Sequence, residues 1–578
     1  GSTIDVSGIG HSSGGRLRVW SDQDTFFDRG AAILSRGGEL GGNGGFIELS
    51  GKENLGFAGT VNALAPFGRA GTLLLDPRNI TIAAAGAAYN PSVNNLFGNT
   101  PAVDVTISAG SINAAAANVV LQANNDITVG SAINMANAGI GIAMQAGRDI
   151  NVNASITTNN GNISLTANDA SAIAANRLAG TGDIVFGAGA NLSAGTGGIN
   201  LTIGSSAVAP FNPGSITTVR NLTTTTGNIS INSPNNATLS GAVNAGSGIV
   251  NINANSDGAG AQGFTMNAGS SIATTNTGAN AVQVIVNSPT GGTGAASLRG
   301  SITTGNGGAA TVSTRGQAAA GGNITGGAIT QGAVLTMNSG AAGTIALATG
   351  AAASSITLNT VGNDFTGAVG VNRAFNVALR DANALTLGAS TISGTLGATT
   401  AGTLTQTGAL TVTGTTTLAA GAANNITLNN AGNNFSTVAI TNGNNVALTD
   451  ANALVLGAST VSGTLGVNTN GALTQSGVLT VTGLTTLSSG AANNINLATS
   501  ANNFSTVGIT SGNNVSLRDA NALVLGASTV SGALALTTGG ALTQSGALNV
   551  IGATSFTATV ANTDILLGTQ ANDFTGPL

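Results

Sequence analysis

The sequence predicts an all-β protein, a right-handed parallel β-helix (β-solenoid) that forms an elongated rod of about 23 residues per coil. Three observations predict it. One segment is written three times at a fixed step. Apolar residues alternate in short runs closed by Gly and Asn. Only 6% of residues are charged in a chain that is 42% apolar, against about 25% charged in an ordinary soluble domain.

The repeat is the strongest of these. DANALVLGASTVSG runs from Asp450 to Gly463 and returns from Asp519 to Gly532, and a close variant, DANALTLGASTISG, occupies Asp381 to Gly394. The three copies follow one another at a constant 69-residue step. Leu404-Thr405-Gln406 returns at Leu473 and Leu542, and Phe365, Phe435, Phe504 and Phe574 each follow an Asn-Asp or Asn-Asn pair at steps of 70, 69 and 70. A catalytic constellation is needed once, whereas a stacking unit is needed many times, because no single unit can bury its own apolar face.

The alternation assigns the secondary structure. Val446-Ala447-Leu448, Leu454-Val455-Leu456 and Leu479-Thr480-Val481 are period-2 runs bounded by Gly, Asn or Ser, which read as short strands joined by tight turns. No apolar stripe of helical period and length is present. The middle of the chain supplies the coil length. Asn125 to Val129 is echoed by Arg148 to Val152 at a step of 23, and Gly161 to Leu165 by Gly227 to Ile231 at a step of 66. On this reading each repeat makes three coils, and at about 4.8 Å per coil the rod is roughly 120 Å long.

Composition follows from such stacking. Inward positions take Val, Ile, Leu and Ala, and outward ones Thr, Ser and Asn. Turns take Gly and Asn, which tolerate positive φ. Asn stacked on Asn is expected to form amide ladders. Pro, lacking an N–H, is absent between Pro289 and Pro577. Stacked like charges would repel. Three zones emerge. Residues 1–80 hold 15 of the 35 charged residues, the only Trp and five of the fifteen Phe; residues 81–360 are degenerate repeats; residues 361–578 are the regular 69-residue repeats.

The same composition excludes functions. No basic patch is present to meet nucleic acid, and the single lysine is Lys52. No run of about 18 apolar residues is present to span a membrane as a helix. Cysteine is absent.

Gly14 to Asp22 (GGRLRVWSD), Gly41 to Asn62 (GGNGGFIELSGKENLGFAGTVN) and Gly71 to Ile82 (GTLLLDPRNITI) resemble filamentous-haemagglutinin-type exoproteins, the passengers of two-partner secretion. Ala146 to Ala167 is similar to their repeat zones. The resemblance implies a right-handed parallel β-helix exported unfolded through an outer-membrane pore of a Gram-negative-type bacterium. It also implies adhesive, biofilm or surface-fibre roles, with host or neighbouring cell-surface glycans among the partners. The family's N-terminal secretion domain and a signal peptide are not in this sequence, so an internal or processed segment is expected. Neither end carries an evident polar cap, so end-to-end association is expected as well.

Candidate sites are few. Gly258 to Gly263 matches GxGxxG, but Phe264 onward offers no helix N-terminus for a pyrophosphate, so a glycine-rich turn is preferred. Asp126 and Asp149, one coil apart with Arg148, could serve as acid and base on an acidic polysaccharide; turn aspartates capping strands are preferred. His11, the only histidine, excludes a His-based triad or zinc site. Thr411-Val412-Thr413 and Thr480-Val481-Thr482 could form an ice-binding array, which Asn549-Val550-Ile551 interrupts; outward strand Thr are preferred. Trp20, Phe26 and Phe27, near Arg16, Arg18, Asp22, Asp24 and Asp28, are a carbohydrate-stacking patch or, preferably, a local core. No catalytic, cofactor-binding or metal-binding residue is assigned. The expected function is a non-enzymatic, secreted structural and adhesive fibre that associates with itself. The alternative is the passive stalk of an adhesin with its tip elsewhere.

Overall fold

The computed structural model describes residues 1–21, 24–51, 54–75, 78–85, 105–174, 177–316, 325–350 and 353–578. They form two compact units, Gly1–Gly327 and Ala328–Leu578. Both are parallel β-helices. The one helix among the described residues is Ala109–Asn113.

In the first unit three ladders of parallel strands run side by side. The longest stacks Leu17, Ile47, Leu73, Val119, Ile142, Ile163, Ile199, Ile229, Val250, Val282 and Ala310 in register. A second stacks Ile80, Ile127, Ile150, Ile184, Ile216, Ala237, Phe264 and Ala296. A third stacks Ile133, Ile156, Leu192, Leu222, Val243, Ile272 and Ile302. From Ile47 onward every one of these side chains is buried, so the interior is a column of β-branched and aliphatic rungs. Strands such as Ile163–Ala167 alternate buried and half-buried residues, as a period of two requires.

Coil length varies in this unit. Ile127 pairs with Ile150 at the expected step of 23, but Ile163 to Ile199 takes 36 and Ile199 to Ile229 takes 30. Thus the echo between Gly161–Leu165 and Gly227–Ile231 joins rungs two coils apart, where the expected coil length had implied three. The surplus residues loop out at the corners and leave the register of the longest ladder intact, while the second ladder shifts register at Gly182–Ile184 and Ile216–Val219.

The corners show why Asn is abundant. Asn118, Asn162 and Asn228 each accept, on Oδ1, the backbone N–H of Gly141, Gly198 and Ile249 one coil on, at 2.8, 2.8 and 3.0 Å. Asn376, Asn445 and Asn514 do the same for Thr395, Thr464 and Ala533 in the second unit. The expected amide-on-amide stacking is the minor pattern, as at Asn255–Asn287 (2.7 Å). A corner N–H has no strand partner, and a short side-chain carbonyl from the adjacent coil satisfies it.

The second unit corrects the three-coil reading of the repeat. Pairing carries Leu385 to Leu404, Ile426, Val446, Leu465, Thr485, Val507 and Leu525. Those seven steps are each about 20 residues long, a single solenoid turn. Together they span two repeats plus a two-residue register drift at strand irregularities. One repeat therefore makes three and a half of these shorter coils, not three longer ones. Each copy of the repeat starts half a turn round from the last. Accordingly the Leu385 and Leu523 copies of the opening segment lie in one ladder. The Leu454 copy lies in the other, which continues through Leu473, Ile495, Val515, Leu534 and Thr554.

Inward Thr416, Thr485 and Thr554 recur at the 69-residue step among Leu and Val rungs. Each is buried, and its Oγ1 has no hydrogen-bond partner among the described residues. A buried hydroxyl without a partner costs about 1–3 kcal/mol. Thr485→Val keeps the shape and removes that cost. We expect it to raise stability by about 1 kcal/mol, read as a higher urea midpoint with an unchanged slope.

Candidate functional site

The marks that define the 69-residue period meet inside the fold. Gln406, of Leu-Thr-Gln, and Asn433, of Asn-Asn-Phe, face each other as a reciprocal amide pair: Gln406 Nε2 donates to Asn433 Oδ1 (2.8 Å), and Asn433 Nδ2 to Gln406 Oε1 (2.9 Å). Asn433 Oδ1 also accepts the Leu410 N–H, and its Nδ2 also donates to the Leu428 carbonyl. The neighbouring Phe435 N–H donates to Asp450 Oδ2 (2.6 Å), whose other oxygen accepts the Asn452 N–H (2.8 Å).

The same set is built at Gln475, Asn502, Phe504 and Asp519. Gln331, Asn363, Phe365 and Asp381 form it too. Gln544 and Asn572 repeat the amide pair. Asn433, Asn502, Asp450 and Asp519 are all buried. Three motifs separate in sequence are thus one polar lock per repeat, tying each phenylalanine-bearing strand to the next coil.

Burial pushes the Asp381, Asp450 and Asp519 carboxyls above the ordinary carboxylate value, and the two backbone N–H bonds on each offset this only in part. The locks hold no hydroxyl or thiol nucleophile and no histidine, and in the three complete sets only the Gln side chains are half-buried beside the buried Asn and Asp. Their chemistry is structural. The common 69-residue step of Gln, Asn-x-Phe and Asp was the sequence signal that they belong together.

In the first unit, Asp126, Arg148 and Asp149 are brought together as the sequence suggested. Arg148 grips Asp126 through Nε (2.8 Å) and Nη2 (2.5 Å), and its Nε lies 3.3 Å from Asp149 Oδ2. The carboxylates are engaged along the axis. Asn79 Oδ1 accepts the Asp126 N–H, Asp126 Oδ1 the Asp149 N–H, Asp149 Oδ1 the Asp183 N–H, and Asp183 Oδ1 the Ser215 N–H, at 2.6 to 3.1 Å. This is the corner-asparagine arrangement with aspartate in its place. Burial raises the Asp149 carboxyl, opposed chiefly by the Asp183 N–H. An open groove of about 610 Å³ in the same unit is lined by Arg69, Asn118, Val120, Ala143, Asn162 and Ser164 among others, but by neither Asp126 nor Asp149.

The remaining candidates resolve individually. Gly258 and Gly260 adopt φ of +72° and +77° in the connection to the Phe264–Met266 strand, so GxGxxG is a turn ahead of a strand, not of a helix. His11 is exposed, and no group of three or more metal-ligating side chains occurs among the described residues. Thr411 stacks on Thr391 and then on Asn434; Thr480 stacks on Thr460 and then on Asn503. Each Thr stack is two rungs long, and the half-turn offset places the two on different faces, so no continuous threonine array forms.

Near the N-terminus the aromatic residues divide. Phe27 is buried and stacks on Phe57 at 5.7 Å, a local core, whereas Trp20 is 53% exposed and Phe26 39%. Arg16 lies over the Phe46 ring at 4.5 Å, and Arg18 pairs with Glu48 at 2.8 Å. Asp22, Lys52 and Glu53 lie outside the described residues.

The sequence reading missed Arg177. Buried at 5% exposure, it donates to the carbonyls of Gly147, Leu178, Pro210 and Gly180 and to Asn168 Oδ1, with Phe211 5.4 Å from its guanidinium.

Residues 374–442, 443–511 and 512–578 each match a family described as repeats of unknown function (DUF5649). The matches begin at 69-residue intervals, the period of the locks. No curated protein matches the chain.

Proposed function

We propose that this chain is a secreted, non-enzymatic β-solenoid that acts as a structural and adhesive fibre at the cell surface or in the extracellular space, and that associates with itself. The observation that carries this reading is where the repeat spends its recurring residues. Gln, Asn, Phe and Asp of each copy are consumed in internal locks. What remains outside is mostly Thr, Ser, Asn, Ala and Gly. Asp126 and Asp149, the only acid–base pair the sequence suggested, are occupied by Arg148 and by backbone N–H groups of adjacent coils. That supports a scaffold over a polysaccharide enzyme.

The resemblance of Gly14 to Asp22, Gly41 to Asn62 and Gly71 to Ile82 to filamentous-haemagglutinin-type exoproteins supports export by two-partner secretion from a Gram-negative-type bacterium. It makes the outer-membrane pore the export partner and surface glycans the adhesive target.

Electron microscopy of the purified chain at low and high concentration tests the reading. Filaments or bundles that grow with concentration are expected. Isolated particles at every concentration would overturn self-association and turn the assignment to the stalk of an adhesin.

A further inference from the structure

We infer that residues 382–517 form a self-docking surface, presented on two faces of the second unit, on which further copies of this chain pack side by side. The inference rests on the self-association proposed above and names the surface responsible. Between Asp381 and Arg518 the only charged residue is Asp450, and it is buried inside a lock. An ordinary soluble stretch of this length carries about 30 charges, which keep molecules apart. Here no exposed side chain carries one.

A surface without charge has nothing to offer an acidic or basic partner, and desolvating its Thr and Asn side chains is repaid by hydrogen-bonding groups of the same kind. Another charge-free surface fits it without electrostatic penalty, and the molecule itself supplies one. The partner is therefore a second copy of this chain.

The relief of the surface repeats as well. Outward Thr357, Ala378, Gly397 and Thr417 occupy successive rungs of one ladder; the first two precede the charge-free stretch, and the strand of Ala378 also carries the exposed Arg380. The small residues at Ala378 and Gly397 leave an open groove of about 450 Å³ whose lining includes no charged residue. Thr427, Ala447, Gly466 and Thr486 repeat the order on the other ladder, half a turn away. Exposed apolar side chains, Val478 at 37% and Leu484 at 44%, stand in the same segment. A chain with such a relief on each of two faces can hold a neighbour on both, so association is open-ended and does not stop at a closed pair.

The test places one positive charge on each face. Thr417 and Thr486 point outward, their rung neighbours are Gly397, Ala439, Gly466 and Gly508, and lysine at either position has no charged residue on the rung before it or the rung after it. Sedimentation velocity of the full chain is compared for wild type, Thr417→Lys, Thr486→Lys, the double lysine variant and the neutral double variant Thr417→Asn/Thr486→Asn. Thermal unfolding by circular dichroism verifies that each is folded.

Wild type and the neutral variant are expected to associate alike and independently of salt. Each single lysine variant should stop at small species, because one face remains. The double lysine variant should associate at least tenfold more weakly, with partial recovery at high salt. A folded double lysine variant that associates as wild type does would overturn this surface while leaving self-association standing. A wild-type chain that stays monomeric at every concentration would overturn both.

Discussion

Asp450→Ala is expected to destabilise the second unit by about 2–4 kcal/mol, the cost of the buried Phe435 N–H left without an acceptor together with the lost hydrogen bond to the part-buried Asn452 N–H. Urea unfolding followed by circular dichroism measures it. Asp450→Asn should lose roughly half as much, since its single carbonyl can accept from one donor while its amide nitrogen opposes the other. Because each coil contacts only its neighbours, the loss should be local and similar for Asp519→Ala.

The pH dependence of this lock has a definite sign. The native carboxyls of Asp381, Asp450 and Asp519 lie above 3.8, so the native state holds more protons than the unfolded chain between 3.8 and the raised values. Their contribution to stability is fully present below 3.8 and is lost as pH rises through the native values. This is opposite in sign to the acid destabilisation that paired carboxylates usually produce. Asp450→Asn should remove roughly a third of that slope. A slope unchanged in the variant would mean that Asp450 does not titrate in this window.

Arg177→Ala is expected to cost about 3–5 kcal/mol in the first unit, because several backbone carbonyls and Asn168 Oδ1 lose a shared donor at once. Arg177→Lys should recover only part, since an ammonium cannot reproduce the planar five-donor fork. The readout is limited proteolysis between Asn168 and Asp183, faster in both variants and fastest in alanine. Cleavage at the wild-type rate in Arg177→Ala would show that the surrounding carbonyls find other donors.

Much of this architecture is written in the sequence. A period of two in runs such as Ile163 to Ala167 allows only strands, and stacking at a fixed step demands one register, since a slip by one residue would turn Ile163 and Leu165 outward. The 69-residue period, the inward Val, Ile and Leu and the preference for turn over nucleotide loop at Gly258 to Gly263 all follow from local chemistry that the residues themselves display.

Tertiary structure alone decided two things. The first is how many coils fill a period. Sequence reveals that Leu385, Leu454 and Leu523 are equivalent, but the length of chain consumed at a corner depends on turn geometry. The shorter coils place alternate copies on alternate ladders, where three longer coils per period would have aligned them. The second is the fate of the polar residues. Gln406, Asn433 and Asp450 are residue types ordinarily found in water, and nothing local marks them as interior. Asn433 and Asp450 are buried, and Gln406 half-buried, because stacking brings the donors of one coil to the acceptors of the next, a pairing that exists only once the chain is wound.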